Sequence, residues 1–154
     1  MNTMALSVTE RIHTLGICPV FSGVPPADLA VLAEMMVTER LRAGELLFAS
    51  GDPSDRIYVV AGGSLSVILP GEPRPVRTLG PGDLLGEYAM FSNMARTATV
   101  RADTDAVLLC LDYPRFRAFL LQFPEAALVL LKAAVQRLTA LEGKHRSGVP
   151  SATE

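Results

Sequence analysis

The chain has 154 residues, of which 49% are hydrophobic and 19% charged, and its formal net charge is −2. This length and composition fit one folded domain and exclude general disorder. The charge balance argues against a protein that binds nucleic acid mainly by neutralising phosphates, so no nucleic-acid partner is expected. Its two cysteines, Cys18 and Cys110, cannot form a disulfide framework and are predicted to be small buried thiols in a reducing compartment.

Two helices are predicted within residues 9–37. The first covers residues 9–15, with Thr9 as its cap, and the second begins at Pro25-Pro26-Ala27-Asp28. Apolar residues at helical spacing continue the second helix to Met36.

From residue 38 to residue 112 the pattern changes to short apolar or alternating runs. These runs are separated by turn signals rich in glycine and proline, and they cover residues 45–49, 56–61, 64–69, 76–79, 97–101 and 106–111. Many short strands at about ten-residue spacing indicate an antiparallel sandwich or closed barrel.

Residues 113–143 again suit helices, with Pro124 at a helix start and Gly143 as the expected stop, and residues 144–154 are predicted to be a flexible tail. The predicted fold is mainly β: an antiparallel, jelly-roll-like β-roll (a double-stranded β-helix) with N-terminal helices and a C-terminal lid or dimer helix. The longest nearly apolar run, residues 126–135, is too short to span a bilayer, and no signal peptide is evident. A cytoplasmic domain without a membrane partner is therefore expected, and the excess of arginine over lysine suggests a bacterial source.

Residues 82–99 break the alternating pattern. Here Gly86 and Glu87 precede a short helix-compatible run, and an isolated arginine, Arg96, follows. Backbone N–H groups at a helical turn and the planar fork of an arginine both suit a bound anion. A carboxylate would repel a phosphate, so Glu87 is expected to serve another group, such as a sugar hydroxyl.

The Gly86-Glu87 pair followed by Arg96-Thr97-Ala98-Thr99 resembles the phosphate-binding cassette of cyclic nucleotide-binding domains, such as those of the catabolite activator protein and the cyclic-AMP-dependent kinase regulatory subunits. The resemblance covers about residues 9–141 and includes the turn glycines Gly44, Gly51, Gly63 and Gly82. It implies a single cyclic nucleotide-binding domain over residues 1–143, with the cassette at residues 82–99.

The resemblance also implies roles for individual residues. Arg96 would pair with the exocyclic phosphate oxygens, and Glu87 would accept a hydrogen bond from the ribose 2′-hydroxyl. Gly86 would allow close approach of the backbone. The amides of Ala89 and Thr97 would complete the phosphate cradle, and the Thr97 hydroxyl would contact phosphate or base.

Four positions depart from the family's usual residues. Leu85 replaces an aromatic residue or isoleucine, Tyr88 replaces a small aliphatic residue and is expected to crowd or contact the ribose, and Met94-Ala95 replaces a proline that often precedes the arginine. No ligand group is removed by these changes.

The last helix carries two apolar stripes. One of them suits packing on the roll or capping a purine and consists of Leu130, Ala134 and Leu141. Leu128, Leu131, Val135 and Leu138 have a short coiled-coil spacing that suits pairing with a second copy, or else the helix belongs to a single-subunit core. The family's contact with the nucleotide base falls nearest to Leu141 and Glu142, which are the candidates for a base cap.

Other polar residues are assigned no ligand role. Arg74, Arg77 and Arg101 are predicted to lie on solvated strand faces, and His13 and His145 are too isolated for a metal site. Cupin-type metal catalysis needs clustered histidines, and no nucleophile–base pair is evident, so the chain is not expected to be an enzyme.

The predicted function is that of a sensor for cyclic AMP, in preference to cyclic GMP, that signals through movement of its C-terminal helix to a partner protein. Too few residues follow Leu141 for a DNA-reading fold, so a stand-alone module is expected. The alternatives are a degenerate β-roll that binds only proteins, or one domain of a longer protein.

Overall fold

The computed structural model describes residues 6–146, with side chains up to Ala140. The helices in this part of the chain are α1 (Val8–Ile17), α2 (Pro26–Met35), α3 (Glu87–Ser92), α4 (Tyr113–Gln122) and α5 (Pro124–Arg146). The strands are β1 (Val37–Leu41), β2 (Leu46–Phe48), β3 (Arg56–Gly62), β4 (Leu65–Ile68), β5 (Arg77–Leu79), β6 (Leu84–Leu85), β7 (Thr99–Ala102) and β8 (Ala106–Asp112).

The strands form two four-stranded antiparallel sheets. The first sheet has the order β1-β8-β3-β6 and the second has the order β2-β7-β4-β5. Tyr58 pairs with Cys110 in the first sheet, and Ser66 pairs with Arg101 in the second. The prediction of a mainly β antiparallel roll between N-terminal and C-terminal helices is confirmed.

The central strands β3 and β8 of the first sheet are buried on both faces, which explains why they consist of almost uninterrupted apolar residues. Side chains alternate along a strand, so Ile57 and Val59 pack with the helices while Tyr58 and Val60 face the interior of the roll. The helical layer includes Phe21 and Phe116, both fully buried, at a ring-centroid distance of 6.3 Å. The protein thus has two hydrophobic cores, one inside the roll and one between the first sheet and the helices.

Several element boundaries differ from the prediction. The cap of α1 is Ser7 rather than Thr9: the Ser7 hydroxyl accepts from the Glu10 N–H at 3.1 Å, and the Glu10 carboxylate accepts from the Ser7 N–H at 2.8 Å. This is a capping box, which satisfies two backbone donors at once. Strands β1 and β6 were not predicted, because β1 carries polar side chains beside an exposed Val37 and β6 has only two residues.

The C-terminal helix extends beyond the predicted stop at Gly143 and reaches Arg146. One glycine inside a helix costs about 1 kcal/mol, which is too little to end a helix that is otherwise well supported. Most of the predicted tail, residues 147–154, lies outside the described residues. No single described helix is long and apolar enough to cross a membrane. The helices α4 and α5 reach the required length and hydropathy only when counted together, and they are bent by 108° where they join.

Both cysteines are buried and free, as predicted. Burial raises the pKa of the Cys18 thiol to about 11. The Cys110 thiol donates a hydrogen bond to a Glu39 carboxylate oxygen at 3.4 Å, and burial raises its pKa as well. Both thiols are therefore protonated and unreactive at neutral pH.

Candidate functional site

The site is built on the irregular segment between β6 and β7. Gly86 has φ +90°, a left-handed conformation that glycine adopts without strain, and this reverses the chain from β6 into α3. The six-residue α3 ends at Asn93, which also has a positive φ. The returning chain is held by two backbone bonds, from Gly51 N to Arg96 O at 2.8 Å and from Arg96 N to Asp52 O at 2.9 Å.

These backbone bonds explain why β7 begins at Thr99 and not at the predicted residue 97. The backbone of Arg96 pairs with the turn at residues 51–52 and does not enter the regular ladder of the second sheet. The turn at residues 51–52 therefore holds the backbone of Arg96 in place.

Arg96 is the most unusual residue of the site. Its relative exposure is 6%, and only one of its guanidinium nitrogens, Nη2, has a protein partner, the Arg56 carbonyl oxygen at 2.9 Å. Nε and Nη1 are buried without a hydrogen-bond partner, and none of the ion pairs among the described residues includes Arg96. A buried charge without a counter-ion is costly, so the site is arranged to receive an anion.

Two aromatic rings hold the Arg96 guanidinium in place. Its central carbon lies 4.3 Å from the Phe48 ring centroid and 5.7 Å from that of Tyr58. Cation–π contacts orient the fork without using any of its N–H donors. The donors on Nε and Nη1 thus stay available for a ligand.

Glu87, the first residue of α3, is half-buried in the same region. Burial raises the pKa of its carboxyl group, while its own backbone N–H and the charges of Arg137 and Arg77 act in the opposite direction. Because burial disfavours the charged carboxylate, a hydrogen bond from a ligand hydroxyl group would stabilise it.

A cavity of about 210 Å³ lies against Arg96 and Glu87. A water molecule's share of the liquid is about 30 Å³, so the space corresponds to about seven water molecules. The structure brings all seven ligand residues predicted from the sequence to its wall: Leu85, Gly86, Glu87, Tyr88, Ala89, Arg96 and Thr97. Met94 and Ala95, which take the place of the family's proline, line it as well.

Residues 38–123 match the sequence profile of the cyclic nucleotide-binding domain family. The chain belongs to this family. It is 36% identical over 119 residues to a cyclic nucleotide-gated potassium channel of Mesorhizobium japonicum, an alignment that covers 77% of this chain and 32% of the channel. It is 27% identical over 122 residues to a CRP-like cAMP-activated global transcriptional regulator of Mycobacterium tuberculosis, covering 77% of this chain and 54% of the regulator.

A solved structure supports the same relationship. The N-terminal domain of a transcriptional regulator from Streptomyces coelicolor A3(2) has a TM-score of 0.67 and 34% identity, and the match covers 84% of this chain and 92% of that one. The chain spans about a third to a half of the length of the two curated relatives.

Two arginines of this cyclic nucleotide-binding domain reach the cavity although the sequence did not point to them. Arg77, at the start of β5, was predicted to lie on a solvated strand face; it is exposed, but it also lines the cavity. Arg137, on α5, lines the cavity and places its guanidinium carbon 5.1 Å from the Tyr88 ring centroid. Of the other two arginines in that prediction, Arg101 lies 3.6 Å from Asp103 in a partly exposed ion pair, and Arg74 is exposed.

The predicted base cap cannot be placed in the same way. The side chains of Leu141 and Glu142 lie outside the described residues, and among the side chains of α5 that are described, Arg137 is the one that lines the cavity. Arg137 lies one helical turn before Leu141, and no motif in the sequence marks it.

The part of the chain that the structure describes contains no group of three or more His, Cys, Asp or Glu residues placed to hold a metal ion. His13 is exposed on α1, and His145 lies beyond the residues whose side chains are described.

Proposed function

We propose that the chain binds a cyclic nucleotide in the cavity beside Arg96, with cyclic AMP preferred over cyclic GMP. The observation that carries the proposal is the buried Arg96 guanidinium, which has two nitrogens without protein partners and no counter-ion among the described residues. A cyclic phosphate would supply both the charge and the acceptors. Charge-assisted bonds of this kind are about twice as strong as neutral ones.

The second polar group of such a ligand is matched by Glu87. A ribose 2′-hydroxyl can donate to the carboxylate, which gives an acidic side chain a use beside an anion site. Gly86 leaves room for the sugar and phosphate to approach the backbone, and the amides of Ala89 and Thr97 would complete the cradle. Thr97 is exposed at the cavity wall, where its hydroxyl can meet phosphate or base.

The base would lie toward α5, where Arg137 can stack its planar guanidinium on a purine. We propose Arg137 as the residue of this helix that meets the base, in addition to Leu141 and Glu142. Because the ligand would contact both the segment 82–99 and α5, binding would favour one position of α5 over others. This movement would be the signal that a partner protein reads.

The preference for cyclic AMP is supported by the similarity to the Mycobacterium regulator, which is cAMP-activated. The sensor is proposed to be cytoplasmic and non-catalytic, in keeping with relatives named as a channel and a regulator. We also propose that α5 pairs with a second copy through its exposed leucine stripe.

The alternative is a β-roll that has lost its ligand and binds only proteins. A scaffold of that kind gains nothing from a buried, unpaired guanidinium, since the charge only lowers its stability. The retention of Arg96 together with Glu87 therefore favours ligand binding.

The decisive experiment is calorimetric titration of the chain, stripped of any bound nucleotide, with cyclic AMP and cyclic GMP. Removing one member of a buried charge pair costs about 2–5 kcal/mol, so Arg96→Ala is expected to weaken binding at least about 30-fold. Arg101→Ala is the matched control, because Arg101 lies on β7 outside the cavity, and it should bind like the wild type. A wild type that binds neither nucleotide would overturn the proposal.

A further inference from the structure

Tyr113, the first residue of α4, has a hydroxyl that bonds on two sides. It donates to the Gly86 carbonyl oxygen at 2.6 Å and accepts from the Ser54 hydroxyl. The backbone N–H of Tyr113 also donates to the Asp55 carbonyl oxygen, at 3.0 Å. The bond from the Tyr113 hydroxyl to Gly86 therefore holds the residue that precedes α3.

The Gly86 carbonyl belongs to the same planar peptide unit as the Glu87 N–H. In a trans peptide these two groups point in opposite directions, so fixing the carbonyl also fixes the direction of the N–H. The same plane contains the Glu87 Cα atom, which carries the carboxylate side chain. The Tyr113 hydroxyl thus acts on the Glu87 carboxylate through one rigid peptide.

Among the residues whose side chains the structure describes, no other side chain donates to the Gly86 carbonyl oxygen. Gly86 is the N-cap of the helix and has no side chain to cap it. A helix of only six residues has little stability of its own, so an external bond at its first peptide has a large influence on its geometry.

We propose that Tyr113 is a positioning residue for recognition of the ribose 2′-hydroxyl, acting through the Gly86–Glu87 peptide. The inference rests on the proposed function and adds a determinant of specificity that lies outside the cavity wall. It also ties the first turn of α4, which leads into α5, to the segment that carries Arg96.

Tyr113→Phe tests this, since it removes the hydroxyl and keeps the ring. Calorimetry would compare cyclic AMP with 2′-deoxy cyclic AMP for the wild type and the variant. Loss of one hydrogen bond corresponds to about a 2- to 10-fold change in affinity. We expect that loss for cyclic AMP and almost none for the deoxy compound, so the ratio between the two affinities falls.

Ser54→Ala is the matched control. It removes the bond on the other side of the Tyr113 hydroxyl and leaves the donation to Gly86 in place, so the affinity ratio should stay at the wild-type value. Amide hydrogen exchange of the ligand-free proteins gives a second readout. Exchange at Glu87 and the following α3 amides should be faster in Tyr113→Phe than in Ser54→Ala.

An equal loss of affinity for both nucleotides in Tyr113→Phe would mean that the residue only supports the fold, and this would overturn the inference. Unchanged affinities would overturn it as well, while leaving the proposed function intact. A wild type that binds neither compound would overturn the proposed function and this inference with it.

Discussion

The guanidinium carbon of Arg137 lies 5.1 Å from the ring centroid of Tyr88. Arg137 belongs to α5 and Tyr88 to α3, and both line the cavity. This pair is where the C-terminal helix meets the segment 82–99. Tyr88, which was expected to crowd or contact a ribose, contacts α5 in the structure.

Replacing Tyr88 with a residue that has no aromatic ring should weaken its contact with Arg137. An exposed cation–π contact contributes about 0.5–1 kcal/mol, which corresponds to roughly a 2- to 5-fold change in an equilibrium constant. Tyr88→Leu is therefore expected to speed amide exchange in residues 130–140 of the ligand-free chain by that factor. Tyr88→Phe keeps an aromatic face and should exchange like the wild type, and identical exchange in all three proteins would contradict the prediction.

Gly86 and Gly44 provide a test of the space beside Arg96. Both have a positive φ, +90° and +92°, so alanine at either position carries a conformational cost of about 1–2 kcal/mol. A Cβ at Gly86 would lie 2.6 Å from Arg96 Nη1 and 2.9 Å from the Arg56 carbonyl oxygen, whereas one at Gly44 would meet nothing within 4 Å. Only Gly86→Ala should displace the guanidinium.

Both variants are expected to melt at lower temperature than the wild type, and only Gly86→Ala should also lose at least about tenfold in cyclic nucleotide affinity. Thermal unfolding and calorimetric titration measure the two effects separately. Equal affinities for the two variants would show that the space beside Arg96 does not limit binding.

The residues that line the cavity could be predicted where they lie close together in the sequence. Gly86, Glu87 and Arg96 fall within a dozen residues. The sequence alone therefore shows that a glycine, an acid and an isolated arginine lie close together, and this combination indicates an anion site. The strands β3 and β8 were also predictable, because a strand buried on both faces has a continuous apolar run.

Arg137 could not be found in the same way. It reaches the cavity only because α4 and α5 meet at a 108° bend and α5 packs through Ala126 and Leu130. Helical spacing shows which residues share a face but not which face meets the roll. Strand β6 was missed for a different reason, since two residues form it by pairing with β3, and a run of that length carries no periodicity.

The exposed stripe of α5 leads to a prediction about assembly. Its four apolar residues follow a 3-4-3 spacing and are 50–63% exposed: Leu128, Leu131, Val135 and Leu138. Burying them against a second copy would remove apolar surface from water. We expect the wild type to sediment as a dimer and Leu131→Glu as a monomer.

Leu121→Glu is the control for that experiment. Leu121 is 74% exposed but lies on α4, outside the stripe, so the variant should remain dimeric. A wild type that stays monomeric at high concentration would contradict the proposed pairing, as would a dimer that survives Leu131→Glu.

Glu87→Gln should affect stability and binding in opposite directions. Burial raises the pKa of the Glu87 carboxyl group above its ordinary value of 4.5, so the folded, ligand-free chain holds that proton more tightly than the unfolded chain. The resulting stabilisation is present below the unfolded pKa and is lost as pH rises through the folded pKa. At neutral pH the folded protein therefore bears the cost of a half-buried carboxylate, which glutamine avoids.

The melting temperature of ligand-free Glu87→Gln is accordingly expected to exceed that of the wild type at neutral pH, and the difference should shrink as pH falls toward about 4. Its affinity for cyclic AMP should fall, because glutamine is a weaker acceptor for the ribose hydroxyl. Glu34→Gln, at an exposed position on α2, should change neither quantity. A Glu87→Gln variant that is less stable at neutral pH would show that the carboxylate holds the ligand-free fold together and is not reserved for the ligand.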